Sequence, residues 1–213
     1  MYPLLFVLLF LAAAVAAPPQ ERALEVAALV PTRGAAGWSH FQINGLDFLA
    51  VANFFTSSPG RDARMETDSV LYLVQVADRL SLREVQRFPT IGAHGVHHFV
   101  KDDHTYLVFP SYYGKRTDVF RWSQEGRGEF RLLQTIQSDG AGSVECFKID
   151  AGQRAILGIA EFNVGVAALY ELRGEYPEEH FEPWQRLEAP GVGAIATMKV
   201  DGDKLLLLAA SCE

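Results

Sequence analysis

The sequence has little positive charge. Its 213 residues include 19 Lys and Arg against 26 Asp and Glu, which gives a formal net charge of −7. A protein that binds nucleic acid through the phosphates usually needs a basic face. The composition therefore argues against a nucleic-acid partner.

Cysteine is also scarce. Cys146 and Cys212 are too few for a disulfide scaffold or a four-cysteine zinc site. In an oxidising compartment this even pair is a candidate disulfide, provided that the two Cα atoms come within about 4.4 to 6.8 Å. The alternative is that both are small buried apolar residues.

Long hydrophobic runs are absent except at the N-terminus, where residues 4–17 read LLFVLLFLAAAVAA. As a helix this run would rise about 21 Å, which is short of the roughly 30 Å core of a bilayer. Such a run followed by small residues is typical of a signal peptide. We predict a signal peptide over residues 1–17 and a secreted, extracellular chain with no membrane insertion after its removal; an uncleaved anchor is the alternative.

Catalytic motifs are missing as well. The sequence contains no Gly-x-Ser-x-Gly turn and no phosphate-binding loop, and Ser, His and Asp occur at no spacing that distinguishes a triad. The histidines from His94 to His104 could suggest zinc, but neighbours such as His97 and His98 point to opposite faces of a strand. We predict no enzyme activity, no catalytic residue, no metal site and no cofactor. Calcium in a central channel stays open, without assigned ligands.

What the sequence does contain is a repeat. Gly34, Gly92, Gly140 and Gly191 are 58, 48 and 51 residues apart. The positions around these glycines share residue types: an apolar residue four before (Val30, Phe88, Ile136, Leu187), Gln six before (Gln86, Gln134, Gln185), Phe or Met seven after (Phe41, Phe99, Phe147, Met198) and Asn or Asp ten after (Asn44, Asp102, Asp150, Asp201). So many columns in register indicate one repeated structural unit.

Each unit reads as four short strands. In the second unit these are residues 95–101, 104–110, 118–124 and 130–136, separated by turn residues. Four-stranded units at this period predict an all-β β-propeller with about three full blades plus a partial one. The partial blade belongs to a larger ring or to a small ring, and truncation of the chain or assembly from two chains also stays open.

The columns resemble the EAR repeat, also called EPTP. The second unit carries Gln86-Arg87-Phe88, Gly92-Ala93 and Phe99, and the third carries Gln134-Thr135-Ile136 and Gly140-Ala141. The resemblance implies a propeller domain over residues 24–213. Its repeats would run approximately over residues 24–82, 83–130, 131–181 and 182–213.

The resemblance also implies a protein-interaction module whose partner is a cell-surface or extracellular protein. In a propeller, the loops between the second and third strands lie on one rim, where loops on a rigid scaffold carry recognition. Here these loops open with aromatic residues, the predicted partner-binding set: Phe54, Phe55, Tyr112, Tyr113 and Phe162. The rings could equally pack over the blade edges. The alternative function is an extracellular hydrolase or carbohydrate-binding protein that uses the channel mouth.

Overall fold

The computed structural model describes residues 26–56, 65–77, 79–126, 128–201 and 204–211. The predicted signal peptide, residues 1–17, lies outside these ranges. The regular structure of the described residues consists of β-strands and two single 3-10 turns, Asp150–Gly152 and Phe162–Val164. The prediction of an all-β fold is therefore confirmed.

The described strands form three four-stranded antiparallel sheets and a hairpin. Blade one contains β1 (Ala35–Ile43), β2 (Leu46–Asn53), β3 (Glu66–Val76) and β4 (Leu80–Ile91). Blade two contains β5 (His97–Lys101), β6 (His104–Ser111), β7 (Arg116–Ser123) and β8 (Glu129–Gln137). Blade three contains β9 (Ala141–Ile149), β10 (Arg154–Glu161), β11 (Val166–Arg173) and β12 (His180–Glu188). The half-blade contains β13 (Val192–Asp201) and β14 (Lys204–Ser211).

Within each blade, every strand pairs with the next one along the chain, which is the meander of a propeller blade. The predicted repeat boundaries at residues 83, 131 and 182 fall inside β4, β8 and β12, so the blades are offset from the sequence repeats by about one strand. In the part of the chain that the structure describes, the sheets do not close into a ring.

The core lies between the blades because each sheet buries both of its faces. In β2, Phe48 and Ala50 pack towards blade two, whereas Leu49 and Val51 pack on the opposite face with Val30. The second and third strands therefore read as nearly continuous apolar runs rather than as alternating ones. The largest side chains between blades one and two are aromatic: Phe41, Phe48, Phe88, Phe109, Phe120 and Phe130.

The recurring glutamine ties each blade to the next. The Gln86 side-chain amide donates to the carbonyl oxygen of Phe130 at 2.7 Å and accepts from its N–H at 2.9 Å. Gln134 makes the same pair of bonds with Phe181, at 3.0 and 2.7 Å. Each amide thus satisfies two backbone groups of the neighbouring blade's outer strand. We call this pair of bonds the glutamine clamp.

A β-bulge precedes each glutamine of this column. In β4, β8 and β12 the pairing register slips by one residue, which leaves Val85, Leu133 and Trp184 without a partner residue on the third strand. A bulge bends its strand and re-aims the side chains beside it. In blades one and two, the glutamine that follows the bulge reaches the next blade.

Candidate functional site

One edge of the blades carries the connections from each second strand to the third and from each fourth strand to the next blade. The N–H of Phe54 donates to the carbonyl oxygen of Gly34 at 2.9 Å, and that of Tyr112 donates to Gly92 at 2.9 Å. In blade three, Phe162 makes the equivalent bond to Gly140 at 3.0 Å. Three equivalent bonds therefore hold the first residue of each loop against the glycine column.

The second residue of each loop packs over the repeated glycine, which explains why a larger residue does not fit at that position. Gly92 has a φ of +62°, a left-handed conformation that favours glycine. A Cβ atom there would also lie 2.5 Å from Cδ2 of Tyr113, whose ring covers the position. Phe55 covers Gly34 in the same way, at 2.9 Å. The repeated glycine is thus part of the support for the loop aromatic residues.

The aromatic rings of these loops contact one another across the blades. The ring centroids are 5.8 Å apart for Phe54 and Phe55, 5.7 Å for Phe54 and Tyr113, 5.1 Å for Tyr112 and Tyr113, and 6.4 Å for Tyr112 and Phe162. These separations are typical of interacting aromatic pairs. The structure therefore brings all five predicted binding residues together in one continuous group.

Sequence reasoning missed one member of this group, His94. Its ring lies 4.6 Å from that of Phe54 and 5.1 Å from that of Tyr112. Burial of the imidazole beside these rings lowers the pKa of His94, so the ring is neutral at pH 7. The signal available in the sequence was its position two residues after Gly92. We call Phe54, Phe55, His94, Tyr112, Tyr113 and Phe162 the aromatic rim.

The aromatic rim combines exposed rings with a polar border. Tyr113 is 52% exposed and Phe162 is 37% exposed. The Tyr112 hydroxyl donates to Oδ1 of Asn163 at 3.0 Å, and the Asn163 amide donates to Asp139 at 2.9 Å. This bond, together with Lys115 at 3.3 Å, lowers the pKa of Asp139. An apolar centre with a charged and polar border is the usual anatomy of a protein interface.

The innermost strands are linked by polar pairs. Ser39 Oγ lies 2.7 Å from Nδ1 of His98, which connects β1 to β5. Glu145 lies 3.8 Å from His97 and accepts a hydrogen bond from Thr197 at 2.9 Å, which connects β9 to β5 and β13. Burial lowers the pKa of both histidines. No group of three or more His, Cys, Asp or Glu within the described ranges is close enough to hold a metal ion.

Cys146 lies on β9, half-buried beside the cluster between blades two and three. Burial raises the pKa of its thiol well above the usual value, so the thiol is protonated at neutral pH. Cys212 lies outside the described residues, and the disulfide of Cys146 with Cys212 stays a prediction.

The four-stranded blades define a propeller-type repeat protein. More particularly, the sequence profile of the EPTP domain family matches residues 30–73, which cover β1, β2 and most of β3. The match confirms the resemblance to the EAR/EPTP repeat that the columns predicted. Among curated proteins, none matches the chain.

Similar solved structures confirm the propeller class of the fold. An exo-β-1,3-galactanase from Phanerochaete chrysosporium, solved with galactose, is 13% identical with a TM-score of 0.53, covering 87% of this chain and 45% of its own. A periplasmic gluconolactonase from Pseudomonas aeruginosa is 15% identical with a TM-score of 0.53, covering 89% of this chain and 48% of its own. The chain thus spans about half the length of these enzymes.

The prediction of no enzyme activity, which was made from the missing catalytic motifs, is contradicted by these structures. The galactanase and the gluconolactonase are both enzymes, and they share this fold. At 13% and 15% identity, the likeness shows the fold alone and transfers no reaction to this chain.

Proposed function

We propose that the chain is an extracellular protein-interaction module and that it recognises a cell-surface or extracellular protein through the aromatic rim. The observation that carries the proposal is the continuous contact of six rings from three blades along one edge. The resemblance to EPTP repeats supports the same class of function.

The rigidity of the aromatic rim also supports binding. The first residue of each loop is held by its hydrogen bond to the repeated glycine, and Phe54 and Tyr113 contact each other across neighbouring blades. A surface that is ordered before binding loses little conformational entropy when the partner arrives. Tyrosine adds a large contact area and a hydroxyl group, which is why it is enriched among residues that dominate binding energy.

The extracellular location rests on the N-terminal sequence. The apolar run at residues 4–17 has the composition and length of a signal peptide. Where the structure describes the chain, it contains no helix with the length and apolar character needed to cross a membrane.

We expect the double substitution Tyr112→Ala and Tyr113→Ala to weaken partner binding strongly. Two adjacent interface tyrosines at the centre of a site contribute about 2 kcal/mol or more, which corresponds to a loss of roughly 30-fold in affinity. The measurement is binding of streptavidin-tetramerised mature chain to a panel of cultured cell lines by flow cytometry. Treating the cells with protease beforehand should remove the signal, because the proposed partner is a protein.

The matched control is the double substitution Val85→Ala and Leu132→Ala. Both side chains are exposed, but they lie on the outer strands β4 and β8, away from the aromatic rim. This control should bind as the unchanged chain does. Equal binding by the Tyr112→Ala, Tyr113→Ala variant, or binding that survives protease treatment of the cells, would contradict the proposal.

A second candidate function is hydrolysis of an ester or lactone at the inner strands. Its specific observation is the 2.7 Å separation of Ser39 Oγ and His98 Nδ1, the arrangement of a hydroxyl nucleophile with a neighbouring base. In such a reaction the Ser39 oxygen attacks the carbonyl carbon while its proton passes to His98. The C–O bond to the alcohol then breaks as His98 returns the proton to that oxygen, and water hydrolyses the acyl-Ser39 ester with His98 again as the base. The enzymes that share the fold make this candidate worth testing.

For this candidate, the mature chain should hydrolyse p-nitrophenyl acetate or δ-gluconolactone faster than buffer does. Ser39→Ala should lower the rate by about 100-fold or more, since it removes the nucleophile. Ser81→Ala, an exposed serine on β4, is the control and should keep the rate. A purified chain with no activity above buffer, or with activity unchanged by Ser39→Ala, excludes this candidate.

A further inference from the structure

A cleft lies on the edge opposite the aromatic rim. It has a volume of about 430 Å³ and lies between blades two and three, at the β5–β6 turn and the β11–β12 connection. The residues that matter for its chemistry are Lys101, His104, Tyr106, Gln153, Tyr176 and Glu179. Its volume is in the range of small-molecule sites.

The cleft contains a buried carboxylate. The side chain of Glu179 is 4% exposed, and its Oε1 accepts hydrogen bonds from Arg121 and from the Tyr106 hydroxyl, the latter at 3.1 Å. Its Oε2 is buried and receives no hydrogen bond from any described residue. Buried polar atoms are nearly always satisfied, so an unpaired carboxylate oxygen beside a cleft indicates a place for a donor.

Ionisation states follow from the same contacts. Burial opposes the charge of Glu179, but the hydrogen bond and charge of Arg121 hold the pKa of this carboxyl below its usual value. Burial and the neighbouring Glu179 raise the pKa of Tyr106, so its hydroxyl keeps the proton that it donates. At neutral pH the free oxygen of Glu179 is therefore a pure acceptor.

Stacked groups fix one wall of the cleft. The Tyr176 ring lies 4.6 Å from the His104 ring, with the two planes 5° apart. The Arg121 guanidinium lies 4.5 Å from the centre of the Tyr176 ring and also donates to the carbonyl oxygen of Pro177 at 3.2 Å. Residues from blade two thus hold the β11–β12 connection of blade three in place.

The charges around the cleft disfavour an ionic ligand. Lys101 lines it and Arg121 bonds to its Glu179 carboxylate, so a cation would meet positive charge. Asp102, Glu175 and Glu179 line it as well, so an anion would meet negative charge. A ligand with many hydroxyl groups matches this mixed set, because each hydroxyl group both donates and accepts hydrogen bonds.

We propose that this cleft binds a neutral saccharide. Oε2 of Glu179 accepts a hydrogen bond from one sugar hydroxyl, and the Gln153 amide forms hydrogen bonds with further hydroxyls. The Tyr176 side chain contacts the sugar at the edge of the cleft. The site is separate from the aromatic rim, so the chain can bind a glycan and a protein partner on opposite edges. The proposal concerns binding and includes no chemical step.

The test titrates galactose, glucose and N-acetylglucosamine into the isotope-labelled mature chain and follows backbone amide shifts by NMR. At least one sugar should shift the amides of the β5–β6 turn and the β11–β12 connection in a saturable manner. Gln153→Ala should raise Kd by about tenfold, the expected effect of losing hydrogen bonds worth about 1.4 kcal/mol. Glu179→Gln, which keeps the shape but removes the charge, should raise it at least as much.

Val76→Ala is the control, since Val76 is an exposed side chain at the end of β3 in blade one and does not line the cleft. Tyr176→Ala should weaken sugar binding and Val76→Ala should leave it unchanged. If Glu179→Gln does not fold, Gln153→Ala and Tyr176→Ala carry the test. The proposal is overturned if none of the three sugars shifts these amides, if Gln153→Ala and Tyr176→Ala bind as well as the unchanged chain, or if n-butylamine or inorganic phosphate shifts these amides more strongly.

Discussion

Replacing Arg121 by Met should lower the free energy of unfolding by about 3 kcal/mol. The substitution leaves the buried Glu179 carboxylate without its charged partner, and an uncompensated buried charge costs about 3 to 5 kcal/mol. We expect a cost at the lower end of this range because the Tyr106 hydroxyl still donates a hydrogen bond to Glu179. For a domain of this size, the melting temperature should fall by roughly 6 to 12 °C, which calorimetry or circular dichroism measures.

The control for this prediction is Arg131→Met in the same blade. Arg131 also pairs with two glutamates, Glu125 and Glu129, but its side chain is 52% exposed. Surface ion pairs contribute little to stability, so the melting temperature should not change measurably. An equal loss in both variants would show that the burial of the Arg121 pair does not determine its contribution.

The loss of unfolding free energy caused by Arg121→Met should depend on pH. The folded-state pKa of Glu179 lies below the ordinary value of 4.5. Its ion pair therefore stabilises the fold above the ordinary value, and this contribution is lost as the pH falls through the lowered pKa. The stability difference between the unchanged chain and Arg121→Met should narrow in acid.

Replacing Gln134 by Ala should destabilise the chain by about 2 to 4 kcal/mol. The change removes both bonds of one glutamine clamp and leaves the N–H and C=O of Phe181, a residue that is 2% exposed, without these partners. Each unsatisfied buried group costs about 1 to 3 kcal/mol, and partial access of water reduces the sum. Urea unfolding followed by tryptophan fluorescence measures the change.

The control is Gln185, the glutamine at the equivalent position of blade three. Gln185 is exposed and forms no clamp among the residues that the structure describes, because the half-blade has no described outer strand to receive one. Gln185→Ala should change the free energy of unfolding by less than about 0.5 kcal/mol. If Gln134→Ala were equally neutral, the clamp would be a geometric coincidence rather than a stabilising contact.

The fold was predictable because positions with a structural requirement, such as tight turns, recur in every repeat. The turn column follows from backbone conformation, since Asn44, Asp102 and Asp150 all adopt positive φ, as tight turns require. The predicted strands of the second unit agree with β5 to β8 to within two residues at each end. The glutamine column was visible in the sequence, but its partner was not, because that partner is backbone more than 40 residues away.

The aromatic rim was predictable in part. Its five loop residues share a position after the second strand, which the repeat made visible. His94 lies in a different connection, two residues after Gly92, and the other repeats have no counterpart at this position. The packing of Phe54 and Tyr112 around it was therefore needed to recognise it as a member. The cleft at Glu179 depends on residues from β6, β7 and the β11–β12 connection, a combination that the alignment of repeats does not bring together.

The described side chains at the three interfaces between successive blades differ, and this has a consequence for cooperativity. The first interface is filled mainly by phenylalanines, the second by aliphatic residues with Tyr106 and Phe181, and the buried residues described at the third are Ala160, Ala167, Val192 and Ile195. In a repeat array, the coupling between neighbours sets how far a local opening spreads. Opening should therefore be most frequent at the half-blade and rarest between blades one and two, and amide hydrogen exchange should slow in that order. Phe54 and Tyr113, from blades one and two, thus lie beside the interface expected to exchange most slowly.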